Sequence, residues 1–179
     1  EVKRNPVNLS SVVSGLSTTH EALLETSGIM FFTDIAPNVM IIGDQDLISQ
    51  AVANLLSNAV RYTPENGMVT VELARENGYA KISVRDTGVG ISEEDMKKVF
   101  SRFWRADAGR NRESGGLGVG LAVVKEIVDR HGGWVQVEGE KGKGACFTIH
   151  IPLYDEDASK HRRNSKKRTG HKKPAKASR

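Results

Sequence analysis

Apolar residues recur at helical spacing in three stretches of the chain. Val12, Val13, Leu16, Leu23 and Leu24 predict a helix over residues 8–25, capped by Asn8 or Ser10 and closed by Gly28. Leu47, Ile48, Val52, Leu55, Leu56 and Ala59 give the strongest stripe and predict a helix over 46–62, stopped by Pro64. The third helix, over 121–131, follows a run of glycines and ends at Gly132-Gly133. Elsewhere apolar and polar residues alternate. That period predicts strands over 29–35, 39–42, 68–74, 79–85, 134–139 and 145–153. Pro37-Asn38, Glu76-Asn-Gly78 and Glu140-Lys-Gly-Lys-Gly144 read as the turns of three hairpins. Ser92-Glu-Glu-Asp opens a short capped helix expected to run to about Phe103. Residues 106–116 have no apolar period and read as a mobile loop. The elements predict an α+β fold: a two-layer α/β sandwich, its mixed and mostly antiparallel sheet covered on one face by three helices.

Composition changes this picture mainly at the C-terminus. A length of 179 residues with 38% apolar and 27% charged residues suits one globular domain with a polar extension. The net charge of +4 is unevenly spread: residues 155–179 hold ten Lys/Arg and three Asp/Glu, a net of +7, which leaves the rest at −3. Residues 1–6 read as a linker, 7–153 as the folded domain and 154–179 as a basic, disordered tail. Such a tail suits either solubilisation or salt-sensitive binding to an acidic membrane surface or a nucleic acid. No apolar run approaches the ~20 residues of a membrane span, and no signal peptide is visible. Cys146 is the only cysteine, so no intrachain disulfide can form, and a reduced, cytoplasmic setting fits.

Candidate chemistry concentrates at three places. Asp86-Thr-Gly-Val-Gly-Ile91 ends a half-buried strand, where a carboxylate can accept from an exocyclic amine and Gly88 and Gly90 allow close approach of a flat ring. The same residues also suit a simple Asp-Thr-Gly turn. Gly115, Gly116, Gly118 and Gly120 lead into a helix, whose bare N–H groups suit phosphate. Asn54 and Asn58 lie four apart on one helix face, suited to a cation shared with phosphates or to a solvated polar face. Arg102, Arg105, Arg110 and Arg112 lie in or near the loop and are within reach of phosphate. His20 and His131 read as a surface residue and a helix-end residue.

Four of these segments together resemble the sensor histidine kinases. Asn54-Leu-Leu-Ser-Asn-Ala-Val-Arg-Tyr62 is similar to the N box of that family, Asp86-Thr-Gly-Val-Gly to its G1 box, Phe100-Ser-Arg-Phe103 to its F box and Gly116-Leu-Gly-Val-Gly-Leu to its G2 box. Their order and spacing also match, over residues 7–153. The resemblance implies the Bergerat ATP-binding fold, with a lid over residues 92–116. It places Asp86 on the adenine amine and Asn58, with Asn54, on Mg²⁺. Arg61 and Arg105 would contact phosphate. Tyr62 and Ile91 would line the adenine or ribose side, and Gly116, Leu117, Gly118, Val119, Gly120 and Leu121 would wrap the phosphates. The resemblance further implies transfer of the γ-phosphoryl of ATP to a histidine on a dimerisation domain absent from this chain. A response regulator would take it next.

Three residues depart from the family pattern. Leu117 replaces a small hydroxyl residue, Val119 a leucine, and Ala145 a Ser or Thr that assists adenine binding through water. A module that binds nucleotide without transferring phosphate is the competing reading. In gyrase-type relatives a glutamate stands at the position of Asn54 and acts as general base on water; asparagine cannot take that proton, so net hydrolysis is disfavoured. None of the five histidines sits in an acceptor motif, which suggests a catalytic fragment; the resemblance implies a longer, membrane-anchored parent that dimerises through the missing hairpin, and so a monomeric fragment.

Overall fold

The computed structural model describes residues 2–104 and 120–154. The elements run β1 (Asn5–Asn8), α1 (Leu9–Thr26), β2 (Met30–Ile35), β3 (Met40–Gly43), α2 (Gln45–Tyr62), β4 (Met68–Glu76), β5 (Tyr79–Asp86), α3 (Glu93–Met96), α4 (Gly120–Arg130), β6 (Trp134–Glu140) and β7 (Gly144–Pro152). The main sheet has the order β2-β4-β5-β7-β6. Only β2 and β4 pair in parallel, as a crossover through α2 requires; the other neighbours are antiparallel. The α+β sandwich is as expected.

Alternation decides which sheet face is covered. Val69, Val71, Leu73, Ala80, Ile82, Val84, Ile149 and Ile151 point to the helices and are at most 2% exposed. The helix stripes supply the facing layer: Val13 and Leu24 on α1, Ile48, Val52, Leu55 and Leu56 on α2, and Val124 and Val128 on α4. Truncating a side chain such as Leu55 or Ile82 to alanine would cost about 2–5 kcal/mol at a site this closed. The cap of α1 is Asn8, whose side chain accepts from Ser11 N at 3.1 Å.

Three expectations are corrected. First, residues 29–35 and 39–42 form no hairpin. β2 pairs with β4, and β3 pairs instead with β1 in a separate two-stranded sheet. The Ser10 hydroxyl takes the place of the missing ladder: it donates to Ala36 O at 2.6 Å and accepts from Val39 N at 3.0 Å. Second, Asn5 and Pro6, read as linker, belong to β1, where proline is tolerated on an edge strand. Third, the helix opened by Ser92 stops at Met96. Beyond it, Lys98, Ser101 and Trp104 each bond back three residues, and Phe103 turns left-handed at φ 65°. The expectations for the loop over 106–116 and for the tail over 155–179 lie outside the described residues.

Candidate functional site

The C-terminal half of α2, the end of β5 and the start of α4 border a cleft. Asn58 and Tyr62 reach it from α2, Asp86 from the last position of β5, and Gly90 and Ile91 from the turn that follows. Leu121 borders it from α4. Val99 and Trp104 close one side, and Ala145 and Phe147 supply the wall from β7.

Asp86 is the charged group of this cleft among the described residues. Its side chain points inward because it continues the inner-face series Ala80, Ile82, Val84. The residue is 6% exposed. Oδ1 accepts from Gly88 N at 2.8 Å and from Ala145 N at 3.3 Å. Oδ2 has no partner among the described residues and is left for a donor in the cleft. Burial raises the carboxyl above its ordinary pKa, against the opposing pull of the Gly88 and Ala145 N–H groups.

Backbone contacts hold the floor. Gly88 lies against the Tyr62 carbonyl, so closely that a Cβ would overlap it, and Val89 N donates to the same carbonyl at 3.1 Å. Gly90 has φ 72° and lies against the Glu140 carbonyl, where a Cβ would also overlap. Glycine is required at both positions by contact with the protein's own backbone. The sequence assigned them to approach of a ring.

The structure therefore brings Asn58, Tyr62, Asp86, Gly90, Ile91 and Leu121 to one cleft. Gly88 supports Asp86 from behind. Arg61 is exposed at the end of α2 and is not among the residues that line the cleft. Asn54 stands one turn before Asn58 and donates Nδ2 to Gly120 O at 3.2 Å. Arg105, Gly116, Leu117, Gly118 and Val119 lie outside the described residues. Val99, Trp104 and Phe147 were not foreseen as cleft residues. Alternation from Ala145 carries the signal for Phe147, two positions on and on the same face.

His131 stands directly after the last residue of α4, in keeping with its reading as a helix-end residue. It is buried, its Nδ1 meets Ile127 O at 2.7 Å, and its Nε2 accepts from Asp44 N at 3.0 Å. An acceptor at Nε2 leaves the proton on Nδ1, the neutral tautomer.

The donor set suits a cation that brings its own anions. Among the described residues no three His, Cys, Asp or Glu side chains gather as a metal site. Asn58 offers one neutral amide oxygen at the cleft, which fits Mg²⁺ shared with phosphate oxygens and water.

Residues 43–155 match the family model described as histidine kinase-, DNA gyrase B-, and HSP90-like ATPase. The sensor-like histidine kinase SenX3 of Mycolicibacterium smegmatis is 37% identical over 86% of this chain, which spans 40% of that relative's length. Among solved structures, the mycobacterial sensor histidine kinase MprB superposes with a TM-score of 0.72 at 30% identity, covering 84% of this chain and 97% of that one. Histidine kinase ThkA, solved in complex with the response regulator protein TrrA, gives a TM-score of 0.72 at 25% identity over 87% of this chain and 43% of its own. With the cleft, the sheet order and the matched motifs in agreement, the chain belongs to the histidine kinase-, DNA gyrase B- and HSP90-like ATPase family.

Proposed function

We propose that this chain is the ATP-binding catalytic domain of a two-component sensor histidine kinase. The observation that carries the reading is the buried Asp86, whose Oδ2 has no partner among the described residues, in a cleft otherwise walled by Tyr62, Ile91, Val99, Trp104 and Phe147. A carboxylate so placed accepts from the exocyclic amine of adenine and opposes the carbonyl of guanine. Asn58 would hold Mg²⁺ beside the phosphates. When bound, Mg²⁺ would neutralise charge on the transferring phosphoryl group. Arg61, Arg105 and the glycines from Gly116 to Gly120 would contact the phosphates.

The acceptor is a histidine of a dimerisation domain, and a response regulator follows it. His20 bonds its own helix through Leu16 O, His131 is held by Ile127 and Asp44, and His150 is buried against Trp134. None of the three lines the cleft. The parent is membrane-anchored in this reading, with this domain on the cytoplasmic side. No helix among the described residues is long and apolar enough to cross a membrane.

Calorimetric titration of ATP, with and without Mg²⁺, tests the pocket. Binding that strengthens with Mg²⁺ is expected, and no binding by the folded chain removes the proposal. Restoring the upstream helices then separates a kinase from a module that only binds: labelled histidine is expected from the kinase.

A further inference from the structure

Helix α4 is fastened to α2 at both ends. At its start, Gly120 O accepts from Asn54 Nδ2 at 3.2 Å. Just beyond its end, His131 Nε2 accepts from Asp44 N at 3.0 Å, and Asp44 is the N-cap of α2. The spacings agree. Asp44 to Asn54 spans about 15 Å along α2, and Gly120 to His131 about 16 Å along α4, at the helical rise. The two helices therefore lie antiparallel, with one clasp at each end.

The upper clasp fixes what Asn54 can do. A carbonyl oxygen cannot donate, so the amide must turn its nitrogen toward Gly120. Oδ1 and the second N–H of the amide remain for other partners. Asn54 is also absent from the cleft lining, where Asn58 stands one turn away. Gly120 is the first described residue of α4 and the last glycine of the run that begins at Gly115.

We infer that Asn54 is a positioning residue: its amide donates to the Gly120 carbonyl, holds that turn of α4 against α2 and acts on bound nucleotide through that helix. The proposal rests on the nucleotide-binding reading for its consequence and on the Asn54–Gly120 bond for its cause. The two parts fail separately.

Asn54→Asp distinguishes the roles. The carboxylate keeps oxygen ligands and adds charge, which suits Mg²⁺, yet it has no proton to donate and faces the Gly120 carbonyl. Asn54→Ser, smaller and neutral, guards against misfolding of the charged variant. Two measurements are made on the full chain. Amide hydrogen exchange along α4 from Val124 onward needs no nucleotide, and faster exchange is expected in Asn54→Asp than in wild type. Calorimetry with ADP in the absence of Mg²⁺ should show affinity about tenfold lower, the cost of one lost hydrogen bond with a repelled partner. Unchanged exchange overturns the clasp. Undiminished Mg-free affinity in Asn54→Asp, with Mg-dependent affinity kept or raised, overturns the positioning role in favour of a metal ligand. If wild type binds no nucleotide, the functional reading falls while exchange still decides the clasp.

Discussion

Ala145 donates its backbone N–H to Asp86 Oδ1 at 3.3 Å, from the position directly opposite in the β5–β7 register. One strand thus holds the carboxylate that the neighbouring strand presents. The same oxygen takes Gly88 N at 2.8 Å, so the carboxyl is fixed through Oδ1, while Oδ2 has no partner among the described residues.

Asp86→Asn should separate stability from binding. The folded carboxyl is raised above its ordinary value, first by burial. A raised pKa means that its contribution to stability is present below the ordinary carboxylate range and is lost as pH rises through the folded value. At neutral pH the buried charge therefore costs stability, and the amide variant should melt at or above wild type. The difference should close in acid. ATP affinity should fall roughly hundredfold, because an amide that keeps its oxygen on Gly88 turns a donor toward the adenine amine. Melting curves across pH, with calorimetry, check both halves. A variant that loses stability at neutral pH contradicts the first; one that binds ATP normally contradicts the second.

Ala145→Ser tests the departure from the family pattern. Ala145 lines the cleft beside Asp86, so a hydroxyl there lies where it can hold a water against the base. Affinity for ATP should rise about three- to tenfold, the gain from one neutral hydrogen bond. Unchanged affinity would mean that the alanine is not what limits binding.

The α2 stripe was legible because burial on one helix face leaves a periodic trace in the sequence. Ile48, Val52, Leu55 and Leu56 are all at most 2% exposed. Asp86 was legible as a motif, since a strand end followed by two glycines is local. Its partner Ala145 was not, because that bond depends on register between strands 59 residues apart. The false hairpin at Pro37-Asn38 has the same origin. The turn chemistry is real, but Ser10, on α1, takes the bonds that would have closed the ladder. Trp104 lies beyond the short helix opened by Ser92, and nothing in the period around it marks a cleft wall. The spacing of Asn54 from Asn58 suited a cation or a solvated face, and its hydrogen-bond partner Gly120, 66 residues on, left no local trace.

His150 makes stability depend on pH in the opposite sense to Asp86. Its ring stacks on Trp134 with centroids 4.4 Å apart, and Nδ1 is buried without a partner among the described residues. Burial first, and then the Lys81 charge, lower its pKa, against a raising influence from Glu76. A depressed imidazole stabilises the fold above its ordinary value of about 6.5 and loses that contribution as pH falls through the folded value. The melting temperature of wild type should fall on acidification below that value. His150→Phe keeps an aromatic ring on Trp134 and removes the titration, so its curve should be flatter over the same range. Parallel curves would sink the assignment.

Gly43 and His131 should prove energetically coupled. A Cβ at Gly43 would lie 2.6 Å from His131 Cδ2 and 2.8 Å from Nε2, the atom that accepts from Asp44 N. The ring cannot retreat without giving up that bond or the one at Ile127 O. Gly43→Ala should therefore destabilise by about 1–3 kcal/mol, the usual cost of overpacking a closed site. His131→Ala should also destabilise, by leaving Asp44 N unpaired and a cavity beside it. The double variant should lose less than the sum, because removing the ring removes the clash. Denaturant unfolding of all four proteins closes the cycle. Additive losses would show that the alanine methyl is accommodated elsewhere and that the ring does not confine position 43.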